Sequence, residues 1–314
     1  MNTTCRIGID IGGTKVNAGI VAEDGSILRK VAFPSAGADK PRAFAVSVAK
    51  RVDTLLAEEG LTLNDVAHIG VGIPGTADYR NGVVEYSCNL FGADRVPLAA
   101  HFREAWGRDV TVVQDSWAAA YAEYRFGSKR AYEHMLCVTV GTGIGCGVIS
   151  GGKVFSGAMH TAGEIGHTPI VWQGRPCVCG QRGCLERYAS GTAILEQAME
   201  SFPEKLKDLP QKTESVFQLA YAGDGDALTL IADCADKLAY GLALMIDIRS
   251  TDTVVISGGV CEHKALFIDP LQEKIIGYGY LPWARKRQVT VYKARLGSDA
   301  PMVGAAFLTP DEIV

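Results

Sequence analysis

RIGIDIGGTKVNAGIVA, residues 6–22, decides the fold class. Apolar residues flank Gly12-Gly13 on both sides, so the stretch reads as a strand, a glycine-rich turn and a second strand. DGS at 24–26 turns the chain again, into the third strand ILRKVAF. Three strands in succession make a β-meander, not the strand–helix opening of a dinucleotide-binding fold, and G-x-G-x-x-G at a strand–helix junction is missing. Backbone amides in such a turn can cradle a phosphate, and an Asp beside it can hold Mg²⁺ through water. Gly12, Gly13, Thr14 and Lys15 are therefore phosphate-binding candidates, with Asp10 at the end of the first strand a candidate near Mg²⁺.

A similar device recurs further on. A strand at 135–140 runs into VGTGIGCGVISGGKVF at 140–155. Alternating glycines make Gly141, Thr142 and Gly143 a second phosphate-cradling turn. Gly147 to Val154 nearly spells a P-loop, but Val154 stands where a Ser or Thr would bind Mg²⁺, so the segment is expected to form a hairpin turned at Ser150–Gly152. Two halves, each opening with a glycine-rich hairpin, form a weak internal repeat. Two related α/β domains facing a cleft would put one phosphate turn on each wall.

Between these hairpins, Phe44, Val48, Val52, Leu55 and Leu56 share one face of a helix over 41–59. A strand at 67–73 ends in Pro74-Gly75, VVEYSCNL follows at 83–90, and a helix is expected over 97–106. The short strand 109–113 delivers Gln114-Asp115 to a helix over 116–126. Spacing alone leaves open whether Asp115 caps that helix or serves as a catalytic base. Later helices are expected over 191–201, 213–222, 226–250 and 262–277, with a small-residue helix from Pro301. The strand 253–257 ends in Gly258-Gly259, where a glycine pair lets a flat ring approach the backbone.

Residues 157–186, GAMHTAGEIGHTPIVWQGRPCVCGQRGCLE, carry the densest chemistry. Cys177, Cys179 and Cys184 have spacing that can wrap thiolates around one small ion, and His167 can supply a fourth ligand. One nitrogen and three sulfurs make a closed structural zinc site. Disulfides are the competing reading, but no secretory signal accompanies the cysteines. Cysteines 5, 88, 137, 146, 234 and 261 lack ligand spacing and read as core thiols. Glu164 and Glu186 flank the metal motif, and carboxylates held there can accept hydrogen bonds from the hydroxyls of a sugar.

Composition narrows the field. The chain has 314 residues, 47% hydrophobic and 21% charged, enough for two domains with substantial cores. A net charge of -4 without a basic run argues against nucleic acid and against an acidic membrane surface. The N-terminus enters a strand almost at once and reads as no targeting segment, and no apolar run suits a membrane span. Nine cysteines without a signal suggest a reducing cytoplasm.

These motifs resemble the ROK family of sugar kinases and sugar-responsive repressors, in the actin/hexokinase-like ATPase superfamily. GEIGH at 163–167 and CVCGQRGCLE at 177–186 resemble its zinc and sugar motifs, IDIGGTK at 9–15 and VGTGIGCGVI at 140–149 its two phosphate motifs, and ISGGV at 256–260 its adenosine loop. The resemblance implies a two-domain actin-like (ribonuclease H-like) fold, with residues 1–125 and the C-terminal helix 301–314 in one domain and 126–300 in the other. It implies ATP-dependent phosphorylation of a free hexose or hexose derivative at the 6-hydroxyl, with the cleft closing to exclude water. Asp115 would be the base. Gly75, Asn89, Gln114, Glu164, His167 and Glu186 would line the sugar pocket, with His167 also on zinc. Asp10 would lie near Mg²⁺, and Gly258 and Gly259 near adenosine. A homodimer is the expected assembly. The alternatives are a sugar-binding regulatory protein, or a kinase for an N-acetylhexosamine, fructose or allose. The repressors usually carry a helix-turn-helix ahead of the first hairpin, for which ten residues leave no room. One departure stands out: the family usually reads Asn-Asp-Ala-Asn around the base, and this chain reads Gln114-Asp115-Ser116-Trp117.

Overall fold

A computed structural model describes residues 5–87, 90–91, 95–280 and 289–314. The chain runs β1 (Cys5–Ile11), β2 (Lys15–Ala22), β3 (Ile27–Pro34), α1 (Pro41–Glu58), β4 (Val66–Ile73), β5 (Thr76–Asp78), β6 (Val83–Tyr86), α2 (Leu98–Trp106), β7 (Thr111–Gln114) and α3 (Asp115–Ala122). It continues through β8 (Met135–Val140), β9 (Ile144–Ser150), β10 (Lys153–Val154), α4 (Glu186–Ala189), α5 (Gly191–Ser201), α6 (Pro203–Leu206), α7 (Thr213–Tyr221) and α8 (Gly225–Arg249). It ends with β11 (Thr253–Ser257), α9 (Lys264–Phe267), α10 (Leu271–Tyr278), β12 (Thr290–Lys293) and α11 (Ala300–Phe307). These elements form two compact units, one of residues 1–133, 147–162 and 298–314, the other of 134–146 and 163–297.

In the first unit the meander is present, and the sheet order is β3-β2-β1-β4-β7. β1 pairs antiparallel with β2 and parallel with β4, and β4 pairs parallel with β7. Ile7, Ile9 and Ile11 of β1 are wholly buried, as are Val48 and Val52 of α1. The C-terminal helix α11 packs on this sheet at very short range. A side chain at Gly8 would collide with the carbonyl of Met302, one at Gly70 with that of Ala305, and one at Gly304 with that of Ala118. Glycine is thus required at Gly8 and Gly70 of the sheet and at Gly304 of α11 by close backbone contact. His68 fixes the same joint: its Nδ1 lies 2.9 Å from the Ala306 carbonyl and its Nε2 2.9 Å from Thr111 Oγ1. A carbonyl only accepts, so Nδ1 carries the proton and the threonine hydroxyl donates to Nε2. Burial holds this imidazole below its usual pKa.

The β9–β10 hairpin closes with Ser150 opposite Lys153, and Gly151 and Gly152 both take positive φ. That is hairpin-turn geometry, and it removes the P-loop reading.

In the second unit β11 pairs parallel with both β8 and β12. The long α8 packs against α7 and α10, burying Leu238 and Leu242 completely. Two helices differ from expectation. The segment 262–277 is broken into α9 and α10, because Pro270 cannot continue the helix before it. The final helix stops at Phe307 instead of reaching the terminus, with Pro310 three residues on. Cys5, Cys137, Cys146, Cys234 and Cys261 are buried core thiols, as their spacing suggested. Cys88 lies outside the described residues. Among the described residues no helix is long and apolar enough to cross a membrane.

Candidate active site

In the first unit, the β1–β2 register pairs Ile11 with Val16, which leaves residues 12–15 as the turn. Gly12 N donates to Lys15 O at 2.8 Å and closes it. Ser35 braces the tip from behind: its hydroxyl donates to Gly13 O at 2.9 Å and its amide to Thr14 O at 3.1 Å. Gly13, Thr14 and Lys15 are exposed, so the tip can meet a ligand. Asp10 stands at the base of this turn and accepts from Asn17 Nδ2 at 3.1 Å. Burial raises its pKa, against the opposing pull of Asn17 and Lys15.

A carboxyl raised in the fold makes its ionised form a cost to stability. That cost is present above the folded pKa and is relieved as pH falls through it. Asp10→Asn is therefore expected to melt at or above the native temperature at neutral pH, without metal or nucleotide, with the difference shrinking on acidification. The same variant is expected to lose Mg²⁺-dependent turnover. Melting curves across pH test the first part, and a variant melting below native throughout would refute it.

Gln114 ends β7 and Asp115 begins α3. Gln114 occupies the cap position, with its side chain turned elsewhere, and Asp115 is the first helical residue. Asp115 Oδ1 accepts from the neighbouring Ser116 N at 2.6 Å. A negative charge in the first turn suits the helix dipole. Gln114 is 1% exposed, and its amide nitrogen donates to the His160 carbonyl at 3.2 Å. Its amide N–H is thus engaged with the protein's own backbone. Trp117 is fully buried, with its indole N–H on the Ala162 carbonyl at 3.0 Å. Gly75 has φ +99°, and any side chain there would strike the Tyr86 carbonyl. Asn89 lies outside the described residues.

In the second unit, the residue types near the metal motif converge. One donor atom from each of His167, Cys177, Cys179 and Cys184 lies within 4.8 Å of every other. Cys179 Sγ and Cys184 Sγ are 3.7 Å apart, and Cys177 Sγ is 3.6 Å from His167 Nδ1. A tetrahedral zinc with Zn–S of about 2.3 Å sets its sulfurs about 3.7 Å apart, so the donor set fits that ion. Gly180 and Gly183 take positive φ where the loop turns back between the ligands, and a side chain at Gly183 would overlap the Val171 carbonyl.

Glu186 Oε2 accepts from Ile144 N at 2.9 Å, at the end of the second glycine turn. A side chain at Gly143 would fall 2.3 Å from that same oxygen, so glycine is needed there for the carboxylate to dock. Gly141 N bonds Gly143 O at 3.0 Å, and Gly191 N bonds Gly141 O at 2.7 Å, tying the turn to the start of α5. Glu164 precedes the 3₁₀ turn Ile165–His167. Burial raises its pKa; His167 opposes this and the nearby Glu186 charge adds to it.

One feature of the site has no local signal in the sequence. A cavity of about 430 Å³ opens beside this turn, lined by Gly141, Thr142, Thr213, Glu214, Gly259 and His263 among others. That volume lies in the range of small-molecule pockets. The His263 ring stacks on buried Phe217, centroids 3.7 Å apart and 8° from parallel, and its Nε2 lies 3.0 Å from Glu214 Oε2. Residues from α7 and from the turn after Gly259 meet there only through folding. Of the glycine pair, Gly259 lines the cavity. Gly258 serves packing: at φ +97° its position for a side chain is 2.3 Å from the Val140 carbonyl. A larger cavity, about 620 Å³, lies by the start of α1 near Lys40, Arg42 and His101 and holds none of the motif residues.

The ROK family profile matches residues 6–312. A glucokinase of Thermotoga maritima is 33% identical over 320 residues, with 98% of each chain covered. An N-acetylmannosamine kinase of Yersinia pseudotuberculosis is 32% identical, with 96% of each covered. Among solved structures, a ROK family glucokinase from Streptomyces griseus, in complex with glucose and AMPPNP, is 30% identical. It superposes with a TM-score of 0.82, covering 98% of this chain and 99% of that one.

Proposed function

The chain belongs to the ROK family, and from that premise we propose that its preferred acceptor is glucose, phosphorylated at the 6-hydroxyl. The protein is an ATP-dependent sugar kinase; full-length similarity to glucokinases is the observation that carries this. Asp115, at the junction of β7 and α3, orients the sugar hydroxyl and takes its proton. Glu164, His167 and Glu186 hydrogen-bond the sugar, and Gly75 and Asn89 are the further sugar-binding candidates. The exposed turn at Gly12, Gly13, Thr14 and Lys15 and the turn at Gly141, Thr142 and Gly143 hold the phosphates. The cavity beside Gly259 and His263 takes the adenosine. Mg²⁺, held through water by Asp10, would neutralise charge on the transferring phosphoryl group. Zinc at His167, Cys177, Cys179 and Cys184 would fix the loop that carries Glu186. Catalysis on this reading is mostly positioning and electrostatics. A homodimer in the cytoplasm is the proposed setting.

The similarity to an N-acetylmannosamine kinase favours a second reading, in which an N-acetylhexosamine is the acceptor. ADP release with ATP, Mg²⁺ and a panel of glucose, N-acetylmannosamine, N-acetylglucosamine, fructose, mannose and allose separates them. Glucose is expected to give the highest kcat/KM, by about ten-fold or more. A higher value for an N-acetylhexosamine would transfer the assignment to that sugar. No stimulation by any sugar would instead favour a regulatory binder.

A further inference from the structure

We propose that Gln114 and Trp117 form a two-point clamp on the segment 157–162 and that, through this segment, they position the sugar-contacting groups rather than touching the sugar themselves. The inference rests on the kinase reading for its second half only.

The two residues stand on either side of Asp115, and both are buried. Both donate to backbone carbonyls of one short segment: Gln114 Nε2 to His160 O at 3.2 Å and Trp117 Nε1 to Ala162 O at 3.0 Å. They are also two of the three positions at which this chain departs from Asn-Asp-Ala-Asn, the third being Ser116 in place of Ala. An Asn at 114 is one methylene shorter and would not span to His160 O from the same backbone. An Asn at 117 has no indole N–H to reach Ala162. The two departures therefore serve a single contact surface.

The segment needs such support. His160 takes φ +54°, an unfavourable conformation for a non-glycine residue that persists when its surroundings over-determine it. The neighbouring side chain of Met159 is 82% exposed, so apolar burial at that residue does little to anchor the segment. Polar ties do more of the work. His160 N bonds Gly157 O at 3.2 Å and Ala162 N bonds Ser156 O at 3.1 Å. Ser156 is fastened to Val314 O by both its amide, at 2.7 Å, and its hydroxyl, at 2.9 Å. The His160 ring meets Tyr79 edge-on at 5.1 Å, and Tyr79 meets Trp117 in the same manner at 6.2 Å. The clamp thus closes a continuous set of contacts from α3 through Tyr79 to the segment. Two residues beyond Ala162 the chain reaches Glu164, which the kinase reading puts on the sugar.

The test uses full-length protein with Trp117→Phe, which keeps an aromatic six-membered ring and removes the pyrrole ring with its N–H, and Gln114→Met, which keeps the length and removes the donor without adding a charge. Amide hydrogen exchange is read over 157–162 without sugar or nucleotide, and steady-state kinetics are read with the best sugar of the panel and with ATP. Each variant is expected to exchange about three- to ten-fold faster in this segment, in line with the loss of one hydrogen bond. Sugar KM should rise more than kcat falls, while ATP KM stays close to native. The double variant should do little worse than either alone, since both hold the same segment. Unchanged exchange with a raised sugar KM would overturn the clamp and put Gln114 on the sugar. Faster exchange with unchanged sugar kinetics would reduce it to a purely structural contact. Because exchange is measured on the free protein, failure of the clamp is distinguishable from failure of the kinase reading.

Discussion

Asp115→Asn is expected to lower kcat by ~10²–10⁴-fold, the usual contribution of a general base, while sugar binding stays near native. The substitution is nearly isosteric. Its amide oxygen can still accept from Ser116 N, the contact made at 2.6 Å by the native carboxylate. The fold loses a charge in the first turn of α3, which is worth about 0.3–1 kcal/mol near a helix N-terminus. What disappears is the capacity to take a proton. Turnover by ADP release, sugar affinity by calorimetry and a melting curve separate the three quantities. A variant that keeps turnover within ten-fold of native would reduce Asp115 to a favourable charge at a helix start.

The second large effect is expected at the metal motif. Purified protein should carry about one zinc per chain, and Cys184→Ser or prolonged chelation should remove it. Structural zinc contributes apparent binding energies of about 10–16 kcal/mol in small folded peptides. Whole domains are stable by only about 5–15 kcal/mol, so loss of the ion should unfold the 164–186 region or the whole second unit. Activity should fall with it by a specific route. Glu186 follows Cys184 by two residues and its carboxylate holds Ile144 N at 2.9 Å, so displacement releases the turn at Gly141–Gly143. Elemental analysis, calorimetric melting and turnover check this in one preparation. Protein that contains no zinc, or a serine variant that melts like native, would sink the assignment.

Much of this protein can be read without coordinates because its signals are local. The hairpin 6–22 declares itself through period and glycine placement, since a tight turn needs residues that tolerate it. The metal quartet declares itself because three of its ligands lie within eight residues, so spacing alone brings them together. Asp115 is legible as an acid at a strand–helix junction. Family membership follows from such motifs in order along the chain.

Other features depend on groups distant in sequence, and only the tertiary structure decided them. Gly8, Gly70 and Gly304 look like ordinary glycines until α11 is laid on the sheet and against α3; then each marks a backbone contact that no side chain could enter. Gly258 reads as a place for a flat ring, yet it is glycine because Val140 O lies against it. Glu214, Phe217 and His263 carry no motif, and their cavity exists because α7 and the turn after Gly259 are brought together. Gln114 and Trp117 are the sharpest case. The sequence marks both as departures but cannot say where a long side chain goes. That is decided by the carbonyls of His160 and Ala162, some 46 and 45 residues away, because a buried donor must find an acceptor wherever the fold supplies one.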